Sequence, residues 1–242
     1  SNFEITGDLR SVPAGNYSVP VTDSHGCTDI STTALTEPTT SISLQLNYFP
    51  YICYNANSGQ ITALPNGGTV VGNYTYAWSN GSTDFQILGL PANTYSVTVS
   101  DDNACTVTQS ATIQEPASDL MILNDFVTNA NCFGESNGAI NITVDGGWGA
   151  YTYLWSNSST TQNISGLNAN TYDVVVSDLY GCTVSGSFIV DEPNLLEANF
   201  VSITDILCHG DNTGEINLGV IGGTTPYSYL WSNGETTEDI NN

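Results

Sequence analysis

The 242-residue chain is 40 % apolar but only 10 % charged, and its 24 acidic residues face a single basic one, Arg10, for a formal net charge of −23. The apolar share is enough for packed cores and too high for a disordered tail. The charge excludes binding to nucleic-acid phosphates or anionic membranes, and leaves no second cation to stabilise a transferring phosphoryl group.

No apolar run approaches the roughly 20 residues of a membrane-spanning helix, so no membrane insertion is expected, and Ser1 does not begin a signal peptide. Self-comparison along the chain exposes a repeat. Tyr17, Tyr95 and Tyr172 are 78 and 77 residues apart, and Trp78, Trp155 and Trp231 are 77 and 76 apart. Glu37-Pro38, Glu115-Pro116 and Glu192-Pro193 share the period. So do two cysteine series, Cys27, Cys105, Cys182 and Cys53, Cys132, Cys208. The phase divides the chain into 1–38, the C-terminal part of one repeat; 39–116 and 117–193, two complete repeats; and 194–242, the N-terminal part of another. Both ends read as boundaries of a fragment or of an ordered region within a longer protein.

Within one repeat the strands follow in order. Ala139 to Val144 alternates apolar and polar, then meets Gly146-Gly147. Tyr151 to Trp155 alternates again and stops at Ser156-Asn157. Tyr172, Val174 and Val176 occupy one face of the next strand, Asp178 to Gly181 turns it, and Thr183 to Val190 supplies the last. No window sustains a helical period, so almost no helix is expected. About seven short strands per repeat predict an all-β chain of tandem immunoglobulin-like β-sandwiches of about 77 residues. With strands of about 9–10 residues, the array would form an elongated rod of roughly 100 Å or more. Leu90 to Tyr95 and Leu167 to Tyr172 share Leu-x-Ala-Asn-Thr-Tyr, the pattern of a tyrosine corner.

Candidate chemistry is sparse. Gly134-Glu135-Ser136-Asn137-Gly138 matches the nucleophile-elbow pattern, but it joins two strands where an elbow needs a strand and a helix, and Asn212 replaces the serine in the next repeat. It reads as a turn. His25 and His209 stand at non-equivalent positions and read as loop residues. No enzyme is expected. Trp78, Trp155 and Trp231 are expected to fill cores. Tyr74, Tyr151 and Tyr227, nearer the loops, are the candidate polysaccharide contacts. The repeated acids allow calcium as a possible cofactor: Glu115 and Asp178, and equivalently Glu37 and Asp101, would meet at repeat joints and share the ion.

Six cysteines imply an oxidising exterior. Pairing within repeats gives Cys53–Cys105 and Cys132–Cys182. Pairing across the Glu-Pro linkers uses all six but separates the partners by two strand lengths. A third scheme joins the first turn of one repeat to the last turn of the next, as Cys53–Cys182. The within-repeat scheme is the expectation.

These blocks resemble the SprB repeat, found in many copies in giant surface adhesins of gliding Bacteroidota. The matching residues are Cys208-His209-Gly210-Asp211, Gly214-Glu215-Ile216, and Gly222 through Gly234 with its Tyr227-Ser228-Tyr229-Leu230-Trp231 core. Tyr172 to Asp178 and Gly181-Cys182 supply the second half. Departures are Ala104 where the turn carries Gly, and Gly149-Ala150 where Pro226 stands. The resemblance implies type IX export, display on the outer surface, and a link through other parts of the parent protein to the outer-membrane gliding and secretion machinery. The expected role is a stalk or adhesive segment contacting extracellular surfaces or polysaccharide, with neighbouring repeats as partners. The loops divergent between repeats (Val70 to Asn73, Trp148 to Ala150, Thr224 to Pro226) favour a stalk over a ligand module in every repeat.

Overall fold

The computed structural model describes residues 10–241. Of the partial repeats expected at 1–38 and 194–242, residues 1–9 and 242 lie outside the described residues. Strands make up the regular structure, with no helix among the described residues.

The described part of the chain divides into two compact units, one holding the residues up to Pro50 together with Asn57–Gln114, the other Tyr51–Ala56 together with Glu115 onward. The first unit opens with an antiparallel hairpin, β1 (Gly15–Thr22) and β2 (Thr28–Leu35). Six strands follow: β3 (Ser43–Tyr48), β4 (Gly59–Asn66), β5 (Thr75–Trp78), β6 (Gln86–Leu90), β7 (Asn93–Ser100) and β8 (Thr106–Ile113). They form two three-stranded antiparallel sheets, ordered β3-β4-β6 and β5-β7-β8. Alternate residues of facing strands, among them Ile61, Ala63, Trp78, Val97, Val99 and Ile113, close the core between them.

The second unit repeats the plan with β9 (Met121–Thr128), β10 (Gly138–Asp145), β11 (Thr152–Trp155), β12 (Ile164–Leu167), β13 (Asn170–Ser177) and β14 (Thr183–Val190). Its sheets run β12-β10-β9 and β11-β13-β14. Ile140, Ile142, Trp155, Val174, Val176 and Val190 form its core. A final hairpin, β15 (Glu197–Thr204) and β16 (Glu215–Ile221), carries the start of a further repeat. Each sandwich thus has six strands where about seven were expected. The strands run 4–8 residues, shorter than the 9–10 expected, because the loops after the Gly-Gly pairs and around Cys53 and Cys132 take up the difference.

The tyrosine corners form at the predicted places. The hydroxyl of Tyr95 donates to Pro91 O at 3.1 Å and that of Tyr172 to Asn168 O at 3.1 Å, and Tyr17 does the same to Pro13 O. The Tyr95 and Tyr172 bonds satisfy buried phenols and pin the chain where it enters the central strand of its sheet. Trp78 and Trp155 are core residues, as their alternation predicts, and their indole N–H groups donate to Asp84 O and Thr161 O.

Candidate functional site

The most elaborate constellation in the second unit starts from a turn. After β13 the chain reverses over Asp178 to Cys182, and the Asp178 carboxylate holds the reversal from inside: its Oδ1 accepts the amides of Tyr180 and Cys182, both at 2.9 Å. Its Oδ2 accepts the amide of Trp148 at 3.0 Å. Gly147 makes this approach possible. It sits at φ +59°, and a Cβ there would fall 2.8 Å from Asp178 Oδ2. A carboxylate only 5 % exposed and satisfied by three amides is a structural part, since an unpaired one at that depth would be costly.

The turn presents Cys182, which is bonded to Cys53 with Cα atoms 5.6 Å apart and a sequence separation of 129. Around the bond stand three aromatic rings. Tyr51 stacks on Tyr180 with centroids 4.1 Å apart, and Trp148 meets both edge-on at 5.0 and 5.4 Å. The Trp148 indole N–H donates to Ile52 O at 2.9 Å, next to Cys53. Burial, and then the neighbouring Tyr51 hydroxyl, raise the Tyr180 phenol above its ordinary pKa. The Tyr51–Ala56 segment is therefore held by a covalent bond, an indole hydrogen bond, ring packing and a carboxylate, since the Asn55 amide donates to Glu115 at 2.7 Å.

This pairing corrects the expected Cys53–Cys105 and Cys132–Cys182 bonds; Cys105, Cys132, Cys27 and Cys208 are free thiols and exposed. The reason is the length of the last strand. In the first sandwich Gln114 N donates to Pro50 O, so the chain leading to Cys53 leaves from the Ile113 end of β8. Cys105 precedes its Thr106 end. In the second, Ala130 N donates to Asp191 O and Gly134 N to Glu192, so Cys132 lies at the Val190 end of β14 and Cys182 at the other. Eight residues of strand span about 26 Å, against about 7 Å for a disulfide.

Three of the four acids singled out for calcium, Asp101, Glu115 and Asp178, accept backbone amides. Asp101 is the counterpart of Asp178: it accepts Asn103 N, Cys105 N and Thr69 N, is 6 % exposed, and its carboxyl is held below its ordinary pKa by the Thr69 amide first and the turn amides after it. Glu115 and Glu192 each cap the first loop of their own repeat, through Asn55 and Gly134, rather than reaching toward the following one. Glu37 lines a hollow with Gly68, Asp101 and Cys105. Among the described residues no three His, Cys, Asp or Glu side chains gather into a metal cage. The candidate polysaccharide tyrosines are half-buried, and their hydroxyls close the Gly-Gly loops: Tyr74 donates to Gly67 O at 2.9 Å, Tyr151 to Gly146 O at 2.7 Å, and Tyr227 to Gly222 O. Ser136 lies in an exposed loop tied by Asn137 to Asn131 and Glu135, and His25 and His209 are exposed loop residues.

Sequence reasoning missed the aromatic trio, although a signal exists. At the positions equivalent to Tyr51, Trp148 and Tyr180 the other repeats carry Ala130 and Ile206, Thr69 and Thr224, Asn103 and His25. Three large rings that depart together from a repeat pattern mark a shared contact. In the first sandwich the equivalent pair is a polar contact, Asn103 Nδ2 donating to Thr69 Oγ1 at 3.0 Å.

The family model described as "SprB repeat" matches residues 50–83, 124–160 and 201–236. No curated protein gives a significant match. Among solved structures, the C-terminal 282-residue fragment of intimin, in complex with the intimin-binding domain of the translocated intimin receptor, is 15 % identical, with 66 % of this chain and 67 % of that one covered and a TM-score of 0.42. The immunoglobulin domains 1–5 of Sidekick-1 are 13 % identical over 93 % of this chain and 56 % of that one, at a TM-score of 0.33. Extracellular domains 3–5 of Drosophila OTK are 11 % identical over 86 % and 91 %, at 0.26. The architecture described above rests on the chain's own sheets and registers, not on these distant likenesses.

Proposed function

Because this chain carries three SprB repeats in tandem, and so belongs to that repeat family, we propose that it is a non-enzymatic structural segment of an extracellular surface adhesin. In this reading 39–116 and 117–193 are complete repeats, flanked by partial ones, and the array serves as a stalk that carries adhesive contacts outward and bears tension between them and the cell. Type IX export and coupling to a gliding machinery are the finer parts of the proposal, and the family resemblance supports them.

The observation that carries the reading is the site's chemistry. Its carboxylates, indole and disulfide are consumed in holding loops and turns, and a disulfide between repeats belongs to an oxidising exterior. The acidic composition adds mutual repulsion along the array and between neighbouring filaments.

Adsorption of the 242-residue chain to agar, cellulose and glass, beside an unrelated domain of matched net charge, tests the stalk reading. Binding no stronger than the control is the expected result. Specific, saturable binding would overturn it by placing adhesion in these repeats, and Tyr74, Tyr151 and Tyr227 would then be the first residues to replace.

A further inference from the structure

The six cysteines fall into two structural classes. Cys53, Cys132 and Cys208 lie in the loop after the first strand of a repeat; Cys27, Cys105 and Cys182 end the turn before the last strand. The local frames recur with the cysteines. The Asx turn that presents Cys182 recurs at Cys105, and at Cys27, whose amide donates to Asp23 at 2.9 Å. The glutamate that holds the Cys53 loop through Asn55 recurs as Glu192 on Gly134, two residues from Cys132. Only one pair is bonded, and it joins the first-loop class of one repeat to the last-turn class of the repeat after it.

We infer that this pairing is a rule of the array: the first-loop cysteine of every repeat bonds the last-turn cysteine of the repeat that follows, so that successive repeats are stapled by a ladder of disulfides. The rule accounts for all six cysteines. Cys53 and Cys182 are the only pair within the 242 residues whose repeats stand in that order with both halves present. Cys132 and Cys208 each require a last-turn cysteine from a repeat half beyond residue 242. Cys27 and Cys105 each require a first-loop cysteine from a repeat half before residue 1. Those four are the free thiols. Pairing within repeats would instead leave two bonds, and pairing across the linkers three.

The consequence is mechanical and goes beyond the stalk reading. Bonds made by this rule overlap, since Cys132 lies inside the loop closed by Cys53–Cys182. A pulled array would transmit force through the disulfides and the short stretch from Cys182 to Cys208, not through the unravelled length of each sandwich.

Formation of a rung is thiol–disulfide exchange with an external disulfide donor such as oxidised glutathione. The first thiolate attacks the donor, releasing one donor thiol and leaving a mixed disulfide. The second thiolate then displaces the other donor thiolate, so two cysteine thiols are oxidised, one donor disulfide is reduced, and the two protons lost by the cysteines end on the two donor thiols.

The experiment completes the final repeat by appending a copy of residues 167–193 after residue 242. The extended chain is oxidised in a glutathione redox buffer, alkylated, digested with pepsin and mapped without reduction. The expected map shows Cys53–Cys182 and a new bond from Cys132 to the appended cysteine, with Cys132 passing from alkylated to protected and Cys27, Cys105 and Cys208 remaining alkylated. A bond from the appended cysteine to Cys208, or an alkylated appended cysteine beside an intact Cys53–Cys182, overturns the rule. A second variant does not depend on folding of the appended segment: in the 242-residue chain, Cys182→Ser leaves Cys53 alkylated, whereas a Cys53–Cys105 bond in that variant would refute the geometry on which the rule rests.

Discussion

Replacing Cys182 by Ser removes the one bond that closes a long stretch of chain, and its effect is readable in length. The bond short-circuits 129 residues. An extended chain spans at most about 3.3–3.6 Å per residue, so those residues hold about 450 Å of contour that force applied between the chain ends cannot recover while the bond is intact. Single-molecule pulling through handles at the two ends should therefore give a final extension about 450 Å shorter for the oxidised chain than for Cys182→Ser, and reductant should bring the oxidised chain to the length of the variant. The same closure restricts the unfolded chain. The loop-entropy relation puts that restriction at about 5 kcal/mol for a loop of this length, so the variant should also unfold more readily, with the loss centred on the second sandwich. Cys132→Ser is the control, because Cys132 is a free thiol, and should change neither length nor stability. Equal final extensions with and without reductant would refute the pairing and everything argued from it.

Three other outcomes follow from the turns. Asp178→Ala removes the acceptor of three amides, that of Cys182 buried and those of Trp148 and Tyr180 part-buried; an unpaired buried amide costs about 1–3 kcal/mol, so denaturant unfolding should show a loss of about 2 kcal/mol or more; Asp178→Asn, which keeps an acceptor for the Tyr180 and Cys182 amides, should lose clearly less. Ala104 occupies the left-handed position, φ +62°, that Gly26 and Gly181 occupy in the equivalent turns, so Ala104→Gly should stabilise the first sandwich by about 1 kcal/mol in the same assay. Asp101 and Asp102 are held below their ordinary pKa, Asp101 chiefly by the Thr69 amide and Asp102 by those of Gly72 and Val71. A depressed folded pKa means stability that is present above the ordinary carboxylate pKa and lost as the pH falls through the lower folded value; the melting temperature should therefore drop as the pH is taken below about 4, and Asp101→Asn should flatten that drop.

The period of the cysteines, tryptophans and Glu-Pro pairs, together with strict two-residue alternation, determined the repeat, its all-β class and the residues of its core before any tertiary contact was considered. Tyr172 and Asn168, or Asp178 and Cys182, are four residues apart, and a corner or an Asx turn is closed by the local chain alone. Trp155 needs only its place in an alternating strand to be assigned inward. The structure alone decided the cysteine partners, the capping role of Glu115 and the ring cluster of Tyr51, Trp148 and Tyr180, because these depend on which of several residues distant in sequence a loop is matched with. That choice is set by strand length: an eight-residue strand carries its two ends about 26 Å apart, beyond the reach of any disulfide, and so the partner of Cys53 lies 129 residues away rather than in its own repeat.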